Sequence, residues 1–286
     1  MAYNLPRAHF SASQLTTYMK CGILYLLKYI EEKKGNSDKK EMYKGTAVHE
    51  TLETLYNQKI EKEQVLTPKQ AGELGVHFLE RTYEEEENSK IPEADKDASI
   101  YDVKGSIEDY VTRVVPYIEP VATEVEFKYT LETAGGDIPL LMYIDLIKEP
   151  KVDSDLGNVL CDYKVTGKKW TANKLSTDLQ FMLYSMATGI PRIEIHNMQK
   201  IEKGSTKGSK LKISGWDETS PELDLSKRVR IVRTVYPPYE RTHMENLITR
   251  TVQGISAGVF MPAAPDSWVC TPKWCEFFWE CRGKVK

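Results

Sequence analysis

Of the five cysteines in this chain of 286 residues, Cys21 stands near the start, and Cys270, Cys275 and Cys281 close the sequence inside WVCTPKWCEFFWECRG. If these four share one centre, the two ends of the chain are stapled together. The closing segment reads C-x4-C-x5-C, which is too irregular for a zinc ribbon and leaves a four-thiolate site one ligand short. Cys21 can supply the missing one. An iron–sulfur cluster accepts ligands drawn from separated parts of a fold, whereas a zinc finger usually builds its site from paired short hairpins. The spacing favours a cluster; zinc, and four small buried hydrophobes with no metal, stay open.

With 39 Lys and Arg against 42 Asp and Glu, a net charge of −3 and 41% hydrophobic residues, the chain can build one large domain or two small ones with a real core. No apolar run approaches the length of a membrane span. The opening MAYNLPRAHFSAS lacks the basic start and apolar core of a signal peptide, so a cytoplasmic location is expected. That compartment is reducing, which disfavours disulfides and favours metal or cluster ligation. Cys161, inside an apolar run, reads as a packed thiol.

Two apolar strands each deliver a carboxylate. The segment from Ile138 ends at Asp145, and Asn158 to Lys164 ends in Asp162, Tyr163 and Lys164. Side chains alternate along a strand, so Asp162 and Lys164 share a face while Tyr163 points away. One or two carboxylates with waters suit Mg or Mn, and the lysine can orient a water or stabilise developing negative charge. In Lys44 to Glu50 a helix begins whose apolar positions Val48, Leu52 and Leu55 keep helical spacing, leaving His49 beside the buried stripe. Gln180 and Tyr184, four apart, fall on one face of another helix.

Together these segments resemble the RecB-like branch of the PD-(D/E)XK nuclease superfamily. The opening Ser11 to Cys21 is similar to that branch's start; G-T-x-x-H follows at Gly45 to His49, then Asp145, then Asp162-Tyr163-Lys164, then Q-x-x-x-Y at Gln180 and Tyr184. The cysteine set is similar to that of CRISPR-associated RecB-like exonucleases and AddB-type helicase–nuclease subunits. The chain departs at Met142 and Gly22, where the family usually has glycine and proline, and its C-terminal spacing is wider than the commoner C-x2-C-x5-C.

The resemblance implies a restriction-endonuclease-like α/β fold, a mixed central sheet flanked by helices, and metal-dependent hydrolysis of DNA phosphodiesters, with an exonuclease acting on single strands preferred. His49, Asp145, Asp162 and the Tyr163 carbonyl would hold Mg or Mn. Lys164 would position the attacking water or neutralise the phosphate, with Glu124 behind the ligands, and Gln180 and Tyr184 would hold the DNA backbone or orient the lysine. Cys21, Cys270, Cys275 and Cys281 would hold a 4Fe-4S cluster. Replication, recombination, repair or CRISPR adaptation are the expected settings, of phage origin among others, beside a helicase, integrase or recombination partner. The alternative is a DNA-binding iron–sulfur subunit without catalysis.

One domain is expected over residues 1–286: helical to 118, a nuclease core over 119–258, and a cysteine segment over 259–286. Ser11 with Gln14 predicts a capping box for a helix through Leu15, Tyr18, Ile23, Leu26 and Leu27 that ends at the charged stretch Glu31 to Lys40. Helices follow to about Ile118, with Glu84 to Glu87 a solvated face. Strands are predicted over Val121 to Leu131 and Ile138 to Lys148 around the Ala134-Gly-Gly-Asp137 turn, over Val159 to Lys164, and near Ile193, Leu211 and Ile231; Lys203 to Lys210 reads as a loop and Tyr239 to Ile255 as a helix. Basic residues group at Lys164, Lys168, Lys169 and Lys174 with Trp170 among them, at Lys200 to Lys212, and at Arg228, Arg230 and Arg233. A positive groove with an aromatic platform suits single-stranded DNA.

Overall fold

Ser11 starts the first helix: its Oγ accepts the Gln14 N–H at 3.3 Å at the head of α1 (Ala12–Lys20). The capping box is only half made, because the Gln14 side chain is buried with Oε1 unbonded. Nor does one helix run on to Leu27. Cys21 leaves helical geometry at φ −165°, ψ 110°, and its Sγ accepts the Leu24 N–H at 3.4 Å to cap α2 (Gly22–Tyr25), which widens into a π-helical turn over Leu26–Ile30. The interruption lets the chain meet its own C-terminal segment, since Gly22 donates to Met261 O at 2.7 Å and Ala263 donates to Cys21 Sγ at 3.3 Å.

The computed structural model describes residues 5–35, 40–62, 64–85, 92–150, 157–201 and 213–283. The predicted loop at Lys203 to Lys210, the strand near Leu211, and Glu86 and Glu87 lie outside them. Helices α3 (Lys40–Ile60), α4 (Pro68–Glu85) and α5 (Glu93–Arg113) form the expected helical region, and the stripe Val48, Leu52 and Leu55 is fully buried. Then come β1 (Pro120–Leu131) and β2 (Ile138–Lys148), an antiparallel pair opening from Leu131 and Ile138. Their turn needs Gly136 at φ +117°, a conformation that glycine alone adopts without strain.

Strand β3 (Val159–Thr166) follows, then α6 (Ala172–Ser176), α7 (Leu179–Thr188), β4 (Arg192–Gln199), β5 (Glu222–Asp224), β6 (Val229–Val235), α8 (Tyr239–Ser256) and α9 (Phe278–Cys281). The sheet runs β1-β2-β3-β4-β6-β5. Only β3 and β4 are parallel neighbours among these, and α6 and α7 make the crossover that parallel pairing requires. The short edge strand β5 has no counterpart in the sequence reading. Asp178 caps α7 by accepting the Gln180 N–H at 3.1 Å, and Gly189 ends it at φ +74°.

Alternation along the strands feeds two cores. On one face Leu160, Ile193, Ile195 and Val232 pack with Leu15 of α1, Phe181 of α7 and Ile248 of α8; on the other, Val159, Cys161, Tyr163 and Ile231 pack against α3 and α5. The expected α/β architecture is therefore present as a mixed sheet covered on both sides.

Two irregularities place the site. Strands β2 and β3 pair only at Leu146↔Cys161, Ile147↔Leu160 and Lys148↔Val159 and then separate, and Phe10 fills the far end of the split by bonding to Pro139 and Leu141 of β2. Ile144 packs in one core and Leu146 in the other, although residues two apart on a regular strand share a face. Between them stands Asp145. Opposite it, flanked by the pairs Thr123↔Leu146 and Val125↔Ile144, Glu124 adopts φ +45°, strain of the kind that collects where a side chain is re-aimed.

Candidate active site

At the split, the Asp145 carboxylate replaces the missing strand partner: its Oδ2 accepts the Tyr163 N–H at 2.6 Å. Its Oδ1 lies 3.5 Å from His49 Nδ1 on α3. The other imidazole nitrogen, Nε2, lies 3.1 Å from the Tyr163 carbonyl. Helix α3, pressed on the sheet through Val48 and Leu52, thus presents His49 to the ends of both strands. Asp162, on the opposite face of β3 from the Tyr163 ring, pairs with Lys164 through Oδ2 at 2.6 Å and accepts from Gln180 Nε2 through Oδ1 at 3.0 Å. Gln180 also donates to Tyr184 Oη at 2.9 Å, and Tyr184 donates to Tyr143 O at 2.7 Å. The Q-x-x-x-Y pair therefore fixes the Asp162 carboxylate and ties α7 to β2.

His49, Glu124 and Asp145 each bring a ligand atom within 4.8 Å of the other two. Glu124, expected behind the ligands, stands beside them. Asp162 is outside this trio, turned toward Lys164 and Gln180. The electrostatics record crowding of negative charge. Burial, then the Asp145 charge, raise the Glu124 carboxyl to about 7 against the pull of His49. Burial raises Asp162 to about 6, with Lys164 opposing and Asp145 adding to the rise. For His49, burial favours the neutral ring, but the hydrogen bond and charge of Asp145 outweigh it and the pKa rises. Burial likewise opposes charge on Lys164, and Asp162 more than offsets it. One imidazole and several carboxylates competing for protons form a hard donor set that fits Mg or Mn.

A second cluster, Cys161, Glu194 and His196, also lies within 4.8 Å and is wholly buried. Its charges are already matched. Glu194 bonds Lys148 at 3.1 Å, Arg233 at 2.8 Å and His196 Nε2 at 3.2 Å, and His196 Nδ1 bonds Tyr110 Oη at 2.6 Å. Burial alone would push the Glu194 carboxyl up; His196, Lys148 and Arg233 instead hold it well below the ordinary carboxylate range. With both ring nitrogens bonded and the carboxylate matched by two cations, this is a structural network under the sheet. Cys161 is a packed thiol, as its apolar context predicts.

The four remaining cysteines converge. Cys21, Cys270, Cys275 and Cys281 line one cavity with Leu24, Leu27, Val269 and Phe277. All four thiols are free, and the chain ends meet there through Lys28–Glu276 at 2.7 Å and Lys33–Glu280 at 2.5 Å.

The basic groups divide. Arg228 and Arg230 are buried, paired with Asp102 and with Asp224 and Glu222, and Arg233 belongs to the Glu194 network, so this trio is not a surface for DNA. Trp170, at 6% exposure, packs on Phe181 and has Lys174 over its ring at 3.4 Å, so it offers no open stacking face. Lys164, Lys168 and Lys174 remain, and Lys20 of α1 joins them: Lys174 is lowered first by burial and then, against Asp178, by the charges of Lys164, Lys168 and Lys20.

A split strand pair holding carboxylates, an imidazole and a lysine, with helices on both faces, brings together a donor set able to hold a divalent cation. Residues 9–282 match the PD-(D/E)XK nuclease superfamily, and the chain belongs to that superfamily, whose members are typically phosphodiester-hydrolysing nucleases that use divalent metals such as Mg or Mn. No curated protein matches the chain. Among solved structures it is similar to one described as "Crystal structure of SSO0001", at 15% identity and a TM-score of 0.36 over 72% of this chain and 82% of that one. Among the described residues, no helix is long and apolar enough to cross a membrane.

Proposed function

We propose that the protein is a DNA exonuclease of the RecB-like branch that prefers single strands and is stapled by a 4Fe-4S cluster. The observation that carries the catalytic reading is the meeting of His49, Glu124, Asp145, Asp162 and Lys164 where β2 and β3 part. His49, Asp145, Asp162 and the Tyr163 carbonyl would hold the cation, with Glu124 beside them. When bound, Mg or Mn polarises a phosphoryl oxygen and lowers the pKa of a coordinated water. Lys164, ion-paired with Asp162, would orient the attacking water or neutralise charge gathering on the phosphate. Gln180 holds Asp162 so that Lys164 keeps one position, and the Tyr184 bond to Tyr143 fixes Gln180 in turn.

The cysteine spacing supports a cluster over zinc. Cys21 comes from one end of the sequence and Cys270, Cys275 and Cys281 from the other, in the irregular C-x4-C-x5-C spacing, and all four line one cavity. An iron–sulfur cluster takes ligands from separated parts of a fold, whereas a zinc ribbon draws them from paired short hairpins.

The test uses anaerobically purified protein with end-labelled single- and double-stranded DNA and Mg or Mn. Asp162→Ala and Lys164→Ala should each lower cleavage by at least about a hundredfold while the fold and brown colour persist. Near-normal cleavage by either variant, or cleavage in excess EDTA, overturns the reading.

A further inference from the structure

Three tryptophans of the C-terminal segment stand in solvent: Trp268 at 63%, Trp274 at 56% and Trp279 at 47% exposure. Indole is large and apolar, and exposed rings gathered in one short segment mark a surface that meets something. Trp268 and Trp274 touch edge to face with centroids 6.0 Å apart, and Lys273 lies over the Trp274 ring at 5.1 Å. Nearby, Arg282 lies over Phe278 at 5.3 Å. The nearby acidic side chains Glu276 and Glu280 are engaged by Lys28 and Lys33. Aromatic faces beside the Lys273 and Arg282 cations suit a polyanion with flat apolar bases.

The segment is held against the start of the chain: Gly22 donates to Met261 O and Ala263 to Cys21 Sγ. Resting on the nuclease reading above, we infer that Trp268 and Trp274, with Lys273, form a stacking platform for unpaired bases of single-stranded DNA. The single-strand preference then has its source in the C-terminal segment, because paired bases offer no free ring face.

The measurement is binding of fluorescein-labelled (dT)20 and of a 20-base-pair duplex to the cluster-loaded full chain, by anisotropy in EDTA so that nothing is cleaved. Trp268→Ala/Trp274→Ala should raise the Kd for (dT)20 at least tenfold and leave duplex binding nearly unchanged, and the corresponding Phe pair should restore most of the affinity. Lys273→Glu, which leaves both rings in place, should also weaken (dT)20 binding, and Tyr239→Ala, an exposed ring on α8, should not. Unchanged (dT)20 affinity in the double Ala variant, or equal loss for duplex and single strand, overturns the platform; if that variant loses its brown colour, unchanged affinity in Lys273→Glu overturns it instead. A parent that binds (dT)20 yet cleaves nothing with Mn sinks the nuclease reading and leaves the platform standing.

Discussion

At the scale of single residues, the site holds two carboxyls, Glu124 and Asp162, that burial makes harder to ionise, with neighbouring negative charge adding to the effect. Burial and then neighbouring charge raise Glu124 to about 7, and burial raises Asp162 to about 6 against the opposing Lys164. A cation must displace those protons. Mn affinity should therefore fall as the pH drops through about 7 and more steeply below about 6, with protonation of His49 adding to the fall, and Glu124→Gln should make the fall near pH 7 shallower. Stability has the opposite sign in the metal-free protein. A carboxylate with a raised folded pKa stabilises below its unfolded pKa and loses that contribution as pH rises through the folded value, here up to about 6 and about 7. Mn should consequently raise the melting temperature more at pH 8 than at pH 6. Titration calorimetry and thermal melts at both values check this, and a Mn affinity that is flat from pH 8 to pH 6 would remove Glu124 and Asp162 from the first contacts with the metal.

At the scale of elements, the sequence reading located the hairpin, β3, the His49 helix and the Gln180 helix, because each rests on a local signal: a Gly-Gly turn, an apolar run, a stripe of helical spacing. It missed whatever depends on a distant partner. The Arg228 and Arg230 cations looked free until Asp102, Asp224 and Glu222 appeared beside them, and Lys148 reads as a strand end although Glu194 holds it buried. The strain at Glu124 leaves no trace in residue type. The break at Cys21 was hidden for the same reason, since helical periodicity continues across it. Its cause is the crossing chain: a β-carbon on Gly22 would meet backbone atoms of Met261 at 2.7 Å and Phe260 at 2.8 Å. Gly22→Ala should cost about 1–3 kcal/mol and expose the C-terminal segment to protease, since backbone cannot yield as a side-chain tip can. Gly45→Ala, with nothing within 4 Å of the new carbon and a helix to favour it, should be neutral or stabilising by up to about 1 kcal/mol. Equal melting temperatures for the parent and Gly22→Ala would show that the two segments do not meet this closely.

At the scale of the whole molecule, the question is what keeps the two ends together. Besides the Gly22 bond to Met261 and the Ala263 bond to Cys21, the polar ties between them are Lys28–Glu276, Lys33–Glu280 and the Tyr18 hydroxyl donating to Val259 O at 2.5 Å. Surface ion pairs contribute about 0–1 kcal/mol each, so these cannot hold the segment alone. A covalent closure from Cys21 to the C-terminal trio spans nearly the whole chain, and the chain-entropy argument sets its stabilisation at on the order of 5 kcal/mol as an upper bound. Loss of the proposed cluster should therefore loosen structure as well as colour. Cys21→Ala, Cys275→Ala and Cys281→Ala should each give a colourless protein whose C-terminal segment is cut rapidly by protease. Cys161→Ala, buried in the other core, should keep the parent's brown colour. Iron and sulfide analysis after anaerobic purification identifies the group. Stoichiometric zinc without sulfide would replace the cluster and keep the staple, whereas a Cys21→Ala protein as coloured and protease-resistant as its parent would show that the ends are held together by something other than these four sulfurs.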